Sequence, residues 1–179
     1  MSDNADLEMR AFELDPNAPI EPRSDIAHLM AAKYGTSVEQ AKHGIESITQ
    51  QGRELGIDFN YGNVKSTNTL DAHRLTKYAH DHGNTEVEQL LFDAYFVDSE
   101  LIGDRDVLIR IATEAGLDPE SVRQMLESEA YLEEVRVDEA VAHQLGVTGV
   151  PFFVIDEKYA IPGCMPVDGF KKALTQCIE

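Results

Sequence analysis

Cysteine is scarce in this chain. Two cysteines, Cys164 and Cys177, stand among 179 residues. They make no disulfide framework, so a reducing, cytoplasmic setting is expected. Basic residues are also few, 15 Lys and Arg against 33 Asp and Glu, for a net charge of −18. That excess argues against nucleic-acid phosphate or an anionic membrane surface as the main partner. No apolar run approaches the ~20 residues of a membrane span. The first residues lack the basic-then-apolar order of a secretory signal. No fixed period recurs, which argues against a helical-repeat array. A metal site is not expected either. His80-Asp81-His82 sits at a helix C-terminus, where cationic side chains suit the dipole, and no convergent set of three or four ligands is visible.

What is present is a 42% hydrophobic, 27% charged chain, enough for one domain with a subdomain. "DLEMRAFEL" (6–14) alternates and ends at the turn signal "DPNAP", so a strand is expected. Leu7, Met9, Ala11 and Phe12 compete for its inward face. About six helices are expected over 24–146. Thr36 and Glu39 are spaced as a capping box. Asn84, Asp104 and Asp118-Pro119 mark starts, and Gly56, Gly83, Gly116 and Gly146 mark stops. "PFFVI" and "KYAI" read as a hairpin around Asp156-Glu157. A closing amphipathic helix begins near Pro166, with Val167, Phe170, Leu174 and Ile178 on one face. The plan is α/β with a large all-helical insertion.

Proline is unusual at the head of a strand, because it donates no ladder hydrogen bond. Val150-Pro151 nevertheless precedes Phe152-Phe153-Val154-Ile155. "GVTGVPFFVIDEKYAIPG" followed by "PVDGFKKAL" resembles the C-terminal half of DsbA-like thioredoxin-superfamily proteins. "FELDPNAP", "NTLDAHRL", "LFDAYFVDSELIGDRDVLIRIATEAGLD" and "VRVDEAVAHQLGVTGVPFFVI" are similar to the FrnE-like cytoplasmic branch. The resemblance runs from about residue 8 to 178.

It implies a thioredoxin-like fold split into a partial domain at 6–23 and 147–179, with a helical insertion at 24–146. It implies thiol–disulfide exchange on protein or peptide substrates. It also implies a cis-proline at Pro151, with Thr148, Gly149, Val150 and Pro151 binding an extended substrate strand. Asn68, Thr69 and His73 become candidate pocket residues on the insertion. No cofactor is implied.

The family's Cys-x-x-Cys, whose thiolate is stabilised at a helix N-terminus, does not occur. The resemblance places that motif upstream of 6–14, so the first strand, the redox helix and the nucleophile are expected to be missing, and the chain by itself inactive. Cys164, just before the last helix, is the remaining candidate thiol. Cys177 is expected to be half-buried and about 16–20 Å away, too far for one redox pair.

Two other readings stand. Glutathione transferase kappa and 2-hydroxychromene-2-carboxylate isomerase share the architecture but use serine and bound glutathione. A non-catalytic peptide-binding module is the third. With the first strand missing, 6–14 and 152–155 lack a common neighbour. The sheet then shows a gap, closes by direct pairing, or takes a partner chain, and the protein is labile or forms a homo-oligomer.

Overall fold

The structure is a computed structural model that describes residues 6–178, with side chains described through residue 176. Seven α-helices precede the strands: α1 (Ile26–Tyr34), α2 (Val38–Glu54), α3 (Leu70–Asp81), α4 (Glu86–Phe92), α5 (Arg105–Glu114), α6 (Pro119–Glu127) and α7 (Leu132–Gln144). The antiparallel strands β1 (Phe152–Ile155) and β2 (Tyr159–Pro162) follow, then α8 (Val167–Ile178). The chain packs as two compact units. Asp15–Val135 makes the larger one; Leu14 and the residues before it, with the stretch from Arg136 onward, make the smaller. By packing, the two units divide within α7 and between Leu14 and Asp15. The local reason at the first break is that the turn after Leu14 is tied to the larger unit. Pro19 O accepts from Asn68 N at 3.1 Å, and Ile20 O accepts from Thr67 Oγ1 at 2.6 Å.

In the larger unit, Leu75, Val87, Leu108, Ile111, Val122 and Leu126 are fully buried and come from α3 through α6. A second cluster, Ala27, Ala31, Ala41 and Ile45, seals α1 against α2. Arg74 is buried beside the first core and donates to Met125 O, Ser128 O and Ala130 O at 2.7–2.8 Å and to Asp71 Oδ1 at 2.6 Å. One guanidinium thus adds donors to carbonyls around the C-terminus of α6, beside Ser128 N and Oγ, which also reach Met125 O.

Several starts differ from the sequence reading. The capping box of α2 is Ser37 with Gln40, not Thr36 with Glu39: Gln40 N donates to Ser37 Oγ and Ser37 N to Gln40 Oε1. Ser37 holds the extended backbone that an N-cap needs, which places the box one residue later. The helix α1 was not distinguished as an element. Val167 is 68% exposed and off the apolar face of α8. Phe170 does turn inward, with its ring edge-on to Phe153 at 4.8 Å. Ile178 and Cys177 have side chains outside the described residues.

The strand expected at 6–14 does not form. Residues 6–13 have no ladder partner among the described residues. Leu7 is 78% exposed, and Ala11 alone of the expected inward residues is buried. The backbone is held by carboxylates of α7 instead. Asp138 Oδ2 accepts from Ala11 N at 2.8 Å, and Glu139 Oε1 from Glu13 N at 3.3 Å. Asp138 Oδ1 also takes Arg10 Nη1 at 2.9 Å, and Arg136 Nη1 bridges Glu13 and Glu139 at 2.6 Å each. The Asp138 side chain is 2% exposed. A buried N–H without a strand partner must find another acceptor, and these two carboxylates supply it.

Burial pushes the Glu13 carboxyl above its ordinary value; Arg136 opposes the shift and Glu139 reinforces it. The folded state therefore takes up this proton at higher pH than the unfolded chain. Glu13 adds stability as pH falls through the raised value and removes it as pH rises. In urea denaturation over a pH series, E13Q should flatten that part of the profile. D138A orphans the Ala11 N–H and should cost about 1–3 kcal/mol, while D138N, which keeps an acceptor, should cost less.

Candidate functional site

The loop that opens β1 is set by the end of α7. Gly146 N donates to His143 O at 3.0 Å and Val147 N to Ala142 O at 2.9 Å, which is a Schellman closure. Gly146 takes φ 73°, a conformation that costs glycine nothing. Val147 is buried at the position where such motifs make their apolar contact. The chain then leaves the helix as Thr148-Gly149-Val150-Pro151. Thr148, Val150 and Pro151 are exposed and Gly149 is half-buried. The Val150–Pro151 peptide bond is cis.

The strand side of this loop is anchored. Pro151 O accepts from Gly163 N at 2.8 Å, extending the β1–β2 pairing by one bond beyond Phe152 and Pro162. The hairpin turn has Asp156 and Glu157 at positive φ, as a type I′ turn requires, with Lys158 N donating to Ile155 O. Val150 lies outside this anchoring and is 51% exposed; among the described residues its main-chain groups have no partner. The geometry offers a short extended edge with one free amide at its head. Such an edge binds extended peptide by strand addition.

The other sequence candidates fall elsewhere. Cys164 is exposed, ahead of α8 in the smaller unit. Asn68, Thr69 and His73 stand at the start of α3 in the larger unit. Asn68 is engaged there in holding the chain: its Oδ1 accepts from Leu70 N and its Nδ2 donates to Pro16 O. Thr69 is the N-cap of α3 without a side-chain cap bond, and His73 is half-buried. His82 stacks on Tyr78 and bonds its carbonyl, and His80 meets Glu88 at 3.2 Å. Sequence reasoning missed Arg136, Asp138 and Glu139. Their signal was present as adjacent acids on one helix, but nothing local identified the amides they serve.

These features define a DsbA-type thioredoxin scaffold. The chain belongs to the DSBA-like thioredoxin domain family, whose pattern matches residues 1–175. It is similar to a probable DsbA oxidoreductase, SCO1869 of Streptomyces coelicolor, with 38% identity and a TM-score of 0.87 over 93% of this chain and 73% of that one. It is also 29% identical over 180 residues to the uncharacterized protein YwbO of Bacillus subtilis (strain 168), covering 96% of this chain and 82% of the relative. The fold is thioredoxin-like and mostly helical, with the two-stranded sheet after the helical insertion. No helix among the described residues is long and apolar enough to cross a membrane.

The smaller unit also leaves apolar side chains in solvent. Val137 and Val141 project at i and i+4 of α7, and Leu145 follows one residue past its end at the same spacing, so they share one face. Leu7, Met9, Val150, Val154 and Tyr159 are exposed as well. The far edge of β1 has no strand beside it among the described residues; with 6–14 forming no strand, the direct pairing expected as one outcome is not seen. Unpaired edges and apolar patches promote association, while a charge of −18 opposes it. Self-association should therefore appear as protein concentration rises and strengthen with salt. Multi-angle light scattering checks this; a monomer at every concentration and ionic strength contradicts it.

Proposed function

We propose that this chain serves thiol–disulfide exchange on protein substrates and that Thr148–Pro151 receives the substrate backbone. The observation that carries the reading is the exposed, unpaired main chain of Val150 at the head of a strand, in a member of the DSBA-like family. An extended client segment docks by main-chain hydrogen bonds, which ask little of its side chains and suit a broad range of clients. The scarcity of cysteine fits a cytoplasmic setting.

Exchange itself needs a thiolate that attacks the substrate disulfide, giving a mixed disulfide and releasing one substrate thiolate. A second thiol then displaces the enzyme sulfur. Residues 1–179 contain no Cys-x-x-Cys, and Cys164 has no neighbouring cysteine in sequence to act as its resolving partner. The 179-residue polypeptide is therefore a binder of extended segments and not by itself a catalyst of turnover.

Two measurements test this. Reduced, unfolded client should bind the chain, and V150P, which deletes the free amide, should weaken capture about tenfold while the melting temperature holds. Insulin reduction by the chain should stay at background. Unchanged capture in V150P contradicts the docking role, and turnover lost in C164S makes Cys164 the nucleophile.

A further inference from the structure

The larger unit holds a cavity that the thiol chemistry does not use. It measures about 450 Å³ and lies between the loop after α2 and the helical turn that continues α4. Its walls are three phenylalanine rings, Phe59, Phe92 and Phe96, with Ile57, Asp58 and Asp93 beside them. The Phe96 ring lies 5.6 Å from Phe59 and 6.3 Å from Phe92. Among the described residues, no lysine, arginine or histidine lines the space.

The walls are held by specific devices. Residues 93–97 form a π-helical turn in which Asp98 N donates to Asp93 O at 2.9 Å. π turns are rare and cluster at functional places. The Phe96 carbonyl in that turn accepts from Asn60 N at 2.8 Å, which ties the two walls together. Phe59 sits directly on Gly52, where a Cβ would lie 2.4 Å from its ring. A glycine inside α2 costs about 1 kcal/mol relative to alanine, and this one seats the ring.

The chemistry of the lining selects its occupant. Ring faces and carboxylates both attract cations. Gln89 Nε2 holds Asp93 Oδ1 at 2.9 Å and so orients that carboxylate. Asp58 is paired only loosely with exposed Arg53, at 3.9 Å. A planar guanidinium stacks on aromatic faces and takes carboxylates through two N–H groups at once, whereas an ammonium is a strongly hydrated point charge. Leu55, Ile57 and Phe92 are exposed apolar residues at and beside the rim. They give ground for the residues on either side of an inserted side chain. The chain's charge of −18 draws basic partners.

We propose that this aromatic, acidic pocket binds an arginine side chain of a protein partner. The guanidinium stacks on Phe92 and Phe96 and pairs with Asp93, and the partner's backbone runs over Leu55 and Ile57. The site goes beyond thiol exchange and does not depend on it.

The test is a nitrogen-15 NMR titration of the full chain with the blocked peptide acetyl-Ala-Ala-Arg-Ala-Ala-amide. Saturable shifts should centre on Ile57, Phe59, Asp93 and Phe96 and weaken with salt. The citrulline counterpart, equal in shape but uncharged, should bind about tenfold more weakly. F92A, at a half-exposed position, should weaken binding by about the same factor, and D93N should narrow the gap between the two peptides. Equal binding of the citrulline peptide, shifts centred elsewhere, or no saturation at millimolar peptide overturns the proposal. So does N-acetyl-arginine amide binding as tightly as the peptide, which would make this a site for free organic cations.

Discussion

The constraint on which the smaller unit rests is that the main chain at residues 11–13 is buried without a strand to pair with. Two acids on α7 answer it. Asp138 accepts the Ala11 amide and Glu139 the Glu13 amide, with Arg10 and Arg136 balancing the charge. Carboxylate acceptors make stronger hydrogen bonds than carbonyls, so two can do what a longer ladder would do with neutral groups. The cost is a cluster of buried acids. Arg136 is shared between Glu13 and Glu139, and Glu13 is left reluctant to ionise. These residues hold the body of α7, while the Gly146 closure sets where the helix stops and where Thr148–Pro151 emerges.

The two units differ in how complete they are. In the larger, four consecutive helices close over a core in which Leu75, Leu108 and Val122 are fully buried. In the smaller, one face of α7, one edge of β1 and the side chains of Leu7 and Met9 stay in solvent. A surface of that kind carries the hazard of self-association. The strong negative charge moderates that hazard at low ionic strength.

Local chemistry was legible in the sequence, and long-range chemistry was not. Gly83, Gly116 and Gly146 mark helix stops by a conformation that other residues resist, and Asp118-Pro119 marks a start for reasons within one turn. The hairpin and the place of Pro151 were readable for the same reason. The segment 6–14 misled because alternation reports a two-sided chain, not a hydrogen-bond partner. The helix α1 is short, and its two buried contact residues against α2 are alanines, Ala27 and Ala31, with Ile26 and Met30 only half-buried beside them, so its apolar face is weakly marked. Arg74 and the Phe59–Phe92–Phe96 pocket depend on residues tens of positions apart, and no short window contains them.

Native-state hydrogen exchange at the Ala11 amide tests the central claim most directly. If Asp138 replaces a strand partner, that amide is protected to the level of the amides in the second half of α7 and loses protection in D138A. Exchange of Ala11 at the free-chain rate, with α7 protected, would contradict the account.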